Sequence, residues 1–452
     1  MSHSSDDLGP QLASAMTNHQ ECDVVVIGGG PAGSTIAALL AQKDKHVVLL
    51  EKDRFPRFHI GESLLPLNLP LFDRLGVADD IRRIGVYKPG AELVSDEHET
   101  TATFRFADNP LLSVGYSYQV KRSEFDKLLL DNSRRLGARV REGTRVVDVT
   151  LDGKERTRIT AIGPDENLTH WSARFLVDAS GRDTLLASRL GLKRIDKQNN
   201  TAAIFGHFRK IPQQAGDKAG MITVHLFEHG WFWVIPLPDN VTSVGVVGTQ
   251  ALFKSRKGKL DAIFAHAVDQ CPSLARDMTN AEPLGPLVAC ADYSYDSRSY
   301  VGDRYILVGD AAAFIDPLFS SGVMMAMSSA QFGANVVHAL LEGKEPRDRL
   351  VRDYERKIQT SLASLSWLIY RINSPILRDI LMSSFDLFNT RHGLITILAG
   401  DFYERRSFLS PLRRLQFAYG FLLLAAKFGF RLRNGGIEWD LQRRLLGSEA
   451  AG

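Results

Sequence analysis

The sequence predicts an α/β fold: a Rossmann-like domain interrupted by an antiparallel β-sheet domain and followed by a helical region. Three observations carry this. Residues 23–27 (DVVVI) form an apolar, valine-rich run that enters a glycine turn, then STIAALLAQ, then a second apolar run at 46–50. That order is strand, turn, helix, strand. From about 201 to 291 strand-like runs follow one another (AAIFGHF, MITVHLFE, GWFWVIPL, TSVGVVGT), as in an inserted antiparallel sheet. The chain then returns to an apolar run at 304–308, ends it in Gly309-Asp310, and continues into a long helical tract, MMAMSSAQFGANVVHALLEG.

The elements follow in order. Residues 1–20 are polar, have no apolar h-region and read as a disordered arm. Residues 21–90, 118–192 and 293–345 make the dinucleotide-binding domain, in three pieces. Within it, a helix follows Ser123, and ARVREGTRVVDVTLDG, ERTRITAIG and ARFLVDASG read as a meander returning to the parallel sheet. Residues 91–117 and 193–292 make a substrate domain, and 346–452 a helical cap. The chain has 452 residues, 44% of them hydrophobic, so a sizeable core is available and a mainly disordered state is excluded. A formal charge of +3 gives no reason to expect nucleic acid. Cys22, Cys271 and Cys290 are widely spaced, which excludes a disulfide framework and makes no Cys-type metal site. No run of 18 apolar residues is present, and a cytoplasmic protein is expected.

Gly28, Gly30 and Gly33 fit G-x-G-x-x-G. The first turns the chain, the second lets backbone approach a pyrophosphate, and the third lets the helix pack on the strand. Pro31 and Ala32 open that helix, whose free N–H groups and dipole favour phosphate. Glu51 ends the second strand about twenty residues on, as a ribose diol requires. Far downstream, Asp178-Ala179-Ser180-Gly181 ends a strand, and Gly309-Asp310-Ala311-Ala312 ends another and opens a helix. As a set, over roughly 23–342, these motifs resemble the flavoprotein monooxygenases and halogenases that share the FAD-binding, p-hydroxybenzoate-hydroxylase-like fold. The resemblance implies FAD contacts at Gly309 and Asp310, at Arg122 of the Lys-Arg-Ser stretch, and at Lys52, Val146, Asp178 and Gly181.

Four further segments separate the branches of that superfamily. The stretch 55–66 (FPRFHIGESLLP) resembles the flavin-contacting strap of flavin-dependent halogenases and, more weakly, of geranylgeranyl reductases. The resemblance implies flavin contacts at Arg57, Ile60, Gly61, Glu62 and Ser63. Trp231 and Trp233, at i and i+2, share one face of a strand and make a stiff aromatic wall. With Ile235 and Pro236 they match the W-x-W-x-I-P signature of the halogenases. There the wall keeps substrate from the flavin, so that only a small oxidant passes. Lys88, in VYKPGA, matches the active-site lysine of that family. A neutral amine can form a haloamine, and an ammonium can polarise HOX; the neutral form requires burial or a nearby cation. In DPLFSSGV, Ser321 and Gly322 match the amides at the halide site, and Pro317, Gly322 and Val323 the adjoining flavin contacts. Tryptophan halogenases carry a glutamate where this chain has Phe319. The proton acceptor is thus unassigned, and the resemblance points to phenols, pyrroles or carrier-bound aromatics.

The expected chemistry is an FADH2-dependent halogenase: a separate flavin reductase supplies FADH2, O2 and chloride or bromide yield HOX, and Lys88 directs it to an electron-rich aromatic. The alternatives are an FAD hydroxylase or isoprenoid reductase of the same fold, and a non-catalytic flavoprotein. The stretch 415–430 (LQFAYGFLLLAAKFGF) is apolar and flanked by Arg413, Arg414, Arg431 and Arg433. Three readings remain open for it: a helix over the substrate cavity, a membrane-surface helix through 413–433, or a docking face for an acidic carrier protein.

Overall fold

The valine-rich run becomes Gln20–Ile27, an inner strand of a seven-stranded sheet. It pairs parallel with Val47–Leu50 on one side and Leu168–Asp178 on the other, and Val24, Val25 and Val26 are 0% exposed. A strand buried on both faces needs no polar alternation, which is why it reads as continuously apolar. Arg139–Arg141 extends the parallel array beyond Val47–Leu50, and Tyr305–Leu307 adds to Leu168–Asp178. The Thr157–Ile162 and Arg145–Thr150 strands leave the same long strand as an antiparallel meander. Chain segments separated by more than 100 residues are thus neighbours in one sheet. The computed structural model describes residues 20–151, 155–249, 252–253, 259–316, 318–401, 411–433 and 436–439. The expected arm lies outside these, apart from Gln20, which already belongs to the first strand.

The second sheet has nine strands. Its centre is Lys193–Arg209, Val241–Thr249, Gly230–Leu237 and Ile222–Phe227, all antiparallel. Gly90–Ser95 joins the last of these in parallel, so the sheet is not purely antiparallel as expected. The expected domain boundary at 292/293 falls inside a strand, Val288–Ser297, which stays in this sheet and pairs with Ala313–Phe314. Continuous pairing across that point, not composition, sets where the sheet ends. A two-stranded ribbon, Val86–Lys88 with Ser117–Gln119, links the two sheets.

The faces of the second sheet pack differently. One face, with Trp231, Trp233 and Ile235, forms an apolar cluster with residues of the C-terminal helices Arg347–Ile369, Pro375–Met382, Thr390–Leu398 and Pro411–Ala426. The other, with Phe232 and Val244, packs on Leu260–Asp269 and Pro272–Met278. The C-terminal region is not all helix: Phe430–Arg433 and Gly436–Trp439 form a hairpin. Gly429 at φ +87° and Gly436 at φ +126° occupy conformations that end a helix and turn a strand. Among the described residues no helix is long and apolar enough to cross a membrane, and no group of His, Cys, Asp and Glu could hold a metal ion.

Candidate active site

The site is built first from glycines. Gly28 has φ +98°, and a Cβ there would lie 2.3 Å from the Ala179 carbonyl oxygen. A Cβ on Gly33 would lie 1.8 Å from the Gly28 oxygen, so the turn and the first helix close only with glycine at both places. Gly30 differs. A Cβ there would meet only Arg57 Nη2, at 3.7 Å, so the space over the helix N-terminus is left open. The helix Pro31–Ala41 makes its first backbone bond from Ser34 N–H to Gly30 O, which leaves the amides of Ala32 and Gly33 at its open end. Glu51, 4% exposed, accepts from Gly29 N–H at 2.5 Å and from Asp53 N–H at 2.7 Å. Burial raises its pKa, and these two N–H groups oppose the rise. Thr144 N–H donates to Glu51 O, which brings the start of the Val146 strand beside it.

Later segments converge on this turn. Gly309 lies against Ala32: a Cβ on it would be 2.9 Å from Ala32 Cβ. With φ +61° it forms a single 3-10 turn, Gly309–Ala311. The expected helix does not start here but at Ser321, because the chain first returns to a short strand, Ala313–Phe314. Asp310 lies in this turn, its carbonyl accepting from Tyr295 Oη–H. Asp178 is 0% exposed, and its oxygens accept from Ser180 and Leu186 N–H at 2.9 and 2.7 Å. That carboxylate holds the 179–186 loop beneath Gly28. Lys52 pairs with Asp183, next to Gly181.

The strap is anchored by arginine. Arg122 forms a two-point pair with Asp126 (2.7 and 2.9 Å) and donates from Nη1 to Ile60 O at 2.5 Å. Arg57 Nη1 stands 3.5 Å from the same Asp126. Gly61, at φ +100°, has no room for a Cβ beside Arg122 Nη1 (2.9 Å), and Val323 Cγ2 lies 3.8 Å from that point. Strap, arginine and the Val323 turn therefore meet at one place. His59, half-buried here beside Arg122, has its pKa pushed down to about 4, chiefly by loss of water around it. Glu62 is 1% exposed; one oxygen bonds His207 Nε2 at 2.8 Å, and the other, also buried, has no hydrogen-bond partner among the described residues.

Lys88 ends the ribbon strand and is 1% exposed. Its Nζ donates to Ser63 Oγ at 2.8 Å and Leu64 O at 2.9 Å, and sits 5.4 Å from the centre of the Phe106 ring. Burial brings its pKa down to about 7. Trp231 and Trp233 lie 5.9 Å apart on one strand face, and Phe205 and Phe58 continue the row. Ile235 shares that face, but Pro236 does not. With Val234 it turns to the other side, where they line a polar cavity of about 340 Å³ with Glu92 and His225. A period of two allows nothing else. Ser320 at φ +56° caps the helix Ser321–Glu342; Ser321 is buried, Gly322 is exposed, and nothing lies within 4 Å of a Cβ built on Gly322. Phe319 packs in the apolar cluster of Trp231 and Trp233. Pro317 lies outside the described residues.

Sequence reading missed Asp126, His59, His207, Phe58, Phe106 and Gly245. Asp126 alone had a local signal, four residues after Arg122 on a helix. These residues fit FAD: an open cradle over Gly30, helix amides and Arg57 for the pyrophosphate, Glu51 beside it, and an unpartnered buried Glu62 oxygen for a donor on the ring or its chain.

Residues 21–362 match the family model described as "FAD binding domain", which makes the protein an FAD-dependent flavoprotein. A chlorinase of 1H-pyrrole-2-carbonyl-[peptidyl-carrier protein] from Pseudomonas fluorescens is 32% identical over 88% of this chain and 94% of its own. Among solved structures, the myxobacterial chondrochloren halogenase CndH is 30% identical, with TM-score 0.74 over 88% of this chain and 97% of that one. A flavoprotein/dehydrogenase from Cytophaga hutchinsonii is 26% identical, with TM-score 0.82 over 90% of this chain and 100% of that one. The chain belongs to the flavin-dependent halogenases. It is an enzyme of oxidoreductase type that uses FAD and a halide.

Proposed function

We propose that the protein halogenates an electron-rich aromatic, a pyrrole or a phenol, presented as a thioester on a carrier protein, with FADH2 delivered by a separate flavin reductase. The observation that carries this is Lys88: a buried lysine near neutral pKa, held by the strap and close to the Trp231–Trp233 cluster. The apolar Phe319 and the likeness along nearly the whole chain to a carrier-dependent pyrrole chlorinase support the substrate class. A cytoplasmic setting suits three cysteines that form no disulfide.

When bound, reduced FAD activates O2 and so turns halide into hypohalous acid. The chain's own groups do the rest. Gly28, Gly30, Gly33 and the Ala32 and Gly33 amides would seat the pyrophosphate, Arg57 would neutralise it, and Glu51 would take the ribose. Gly61, Glu62, Arg122 and Val323 would hold the ring. The turn of buried Ser321 and exposed Gly322 offers amides to the halide at a helix N-terminus. The Trp231 and Trp233 rings bar the aromatic from the flavin. Lys88 Nζ, as the amine, attacks the halogen of HOX; hydroxide leaves and takes the amine proton, giving water and an N–X bond. The ring carbon then takes the halogen, the N–X electron pair returns to nitrogen, and the ring proton follows it.

The test is mass spectrometry of products formed with a flavin reductase, O2 and chloride or bromide, offering pyrrole-2-carboxylate and phenols free and as carrier thioesters. The expected result is a halogenated carrier-bound product. Halogenation of the free aromatics alone would refute the substrate assignment.

A further inference from the structure

The helix Pro411–Ala426 has two apolar faces. Leu415, Ala418 and Leu422, spaced i, i+3, i+7, are at most 3% exposed, and Leu415 and Leu422 belong to the cluster that holds Trp231 and Trp233. On the opposite side Phe417, Phe421 and Leu424, spaced i, i+4, i+7, are 62%, 42% and 58% exposed. Phe388, itself 43% exposed, stands edge-on to Phe417 and Phe421 with centroids 5.2 and 5.9 Å away. Phe428, just past the helix end, is 65% exposed. Single exposed apolar side chains are ordinary, but a contiguous aromatic stripe on a helix is a contact surface.

Charge selects the partner. Residues 411–433 contain four arginines, Arg413, Arg414, Arg431 and Arg433, and one lysine, Lys427, with no Asp or Glu. Arg431 is committed to Asp379. Arg413 and Arg414 precede Phe417 by four and three residues, so helical spacing puts them on the exposed stripe at its N-terminal end. An apolar stripe headed by cations complements an acidic helical domain. The helix is about 10 Å thick, and its inner face meets the tryptophan cluster, so a partner seated outside stands one helix from the substrate side.

We propose that the outer face of Pro411–Ala426, with Phe388, docks the acidic carrier domain that brings the tethered aromatic. This rests on the carrier-substrate reading above. Phe417→Ser with Leu424→Ser, and separately Arg413→Glu with Arg414→Glu, are compared with the unaltered enzyme on a pyrrole-2-carbonyl carrier thioester and on the matching pantetheine thioester. FAD binding and Tm report folding. The expected result is a KM for the carrier form raised by about tenfold or more, kcat held, and kinetics on the pantetheine form unchanged. With the arginine pair in place, the KM of the unaltered enzyme for the carrier form is expected to rise with salt. Unchanged KM on the carrier form overturns the proposal alone, and so does an equal loss on both thioesters. If the unaltered enzyme accepts only free aromatics, the carrier reading falls and this proposal falls with it. Sedimentation with phosphatidylglycerol–phosphatidylcholine vesicles that the substitutions abolish, or a dimer that they dissociate, assigns the stripe to a membrane or a second copy and overturns it.

Discussion

Lys88 is held by Ser63 and Leu64 with its Nζ near the Phe106 ring, and burial brings its pKa to about 7. The sign of its pH dependence follows. Its folded pKa lies below the unfolded 10.5, so the native state binds fewer protons, and its burial costs stability in full below about 7. That cost fades as pH rises from about 7 towards 10.5. An amine that must attack HOX is present only above its pKa. The halogenation rate at saturating FADH2 is therefore expected to rise through about pH 7, as read from single-turnover rates across a buffer series. A rate that falls over the same interval would assign the work to the ammonium form. The lysine was legible in the sequence, and its environment was not. Ser63, Leu64 and Phe106 reach it from segments 25, 24 and 18 residues away, and no local pattern joins them. The glycines and Glu51 were legible because their geometry lies within one strand–turn–helix–strand unit. Pro236 was grouped with the tryptophans by motif, although alternation along a strand already places it on the far face.

At the scale of elements, the tryptophan wall depends on the neighbouring strand. Trp233 pairs with Gly245, and a Cβ on Gly245 would lie 2.2 Å from the indole. The indole lies flat over that glycine, with Nε1 donating to Ser243 Oγ at 3.2 Å. Gly245→Ala is expected to destabilise the fold by ~1–3 kcal/mol, as overpacking does, measured by denaturant unfolding. Paired with Trp233→Leu, the loss should be smaller than the sum of the two single changes. Additive losses would show that the ring does not rest on Gly245. The i, i+2 wall could be read from one strand, whereas its glycine platform required the register between two strands. The same limit explains the Gly309 turn: Gly-Asp before an apolar tract reads as a helix start, but the strand pairing of Ala313–Phe314 with Val288–Ser297 intervenes.

Across the whole molecule, three buried clusters divide the labour. One lies around the parallel sheet that carries the glycine turn, one between the tryptophan face and the C-terminal helices, and one on the reverse face of the second sheet. The strap bridges the first two: Arg122 grips Ile60 at one end, and Ser63 grips Lys88 at the other. On the proposed function, the first cluster serves the cofactor and the second the substrate, and a diffusing oxidant links them. The insertion of a mostly antiparallel sheet between segments of the parallel one was legible from the change in periodicity along the chain. The bridge was not, since it depends on long-range packing. The most direct measurement is product analysis with FADH2 and O2, with and without bromide, for the unaltered enzyme and for Lys88→Ala. The account predicts brominated aromatic only with bromide, and none from Lys88→Ala even though that variant still binds FAD. Hydroxylated aromatic formed without halide, or full bromination by Lys88→Ala, would contradict it.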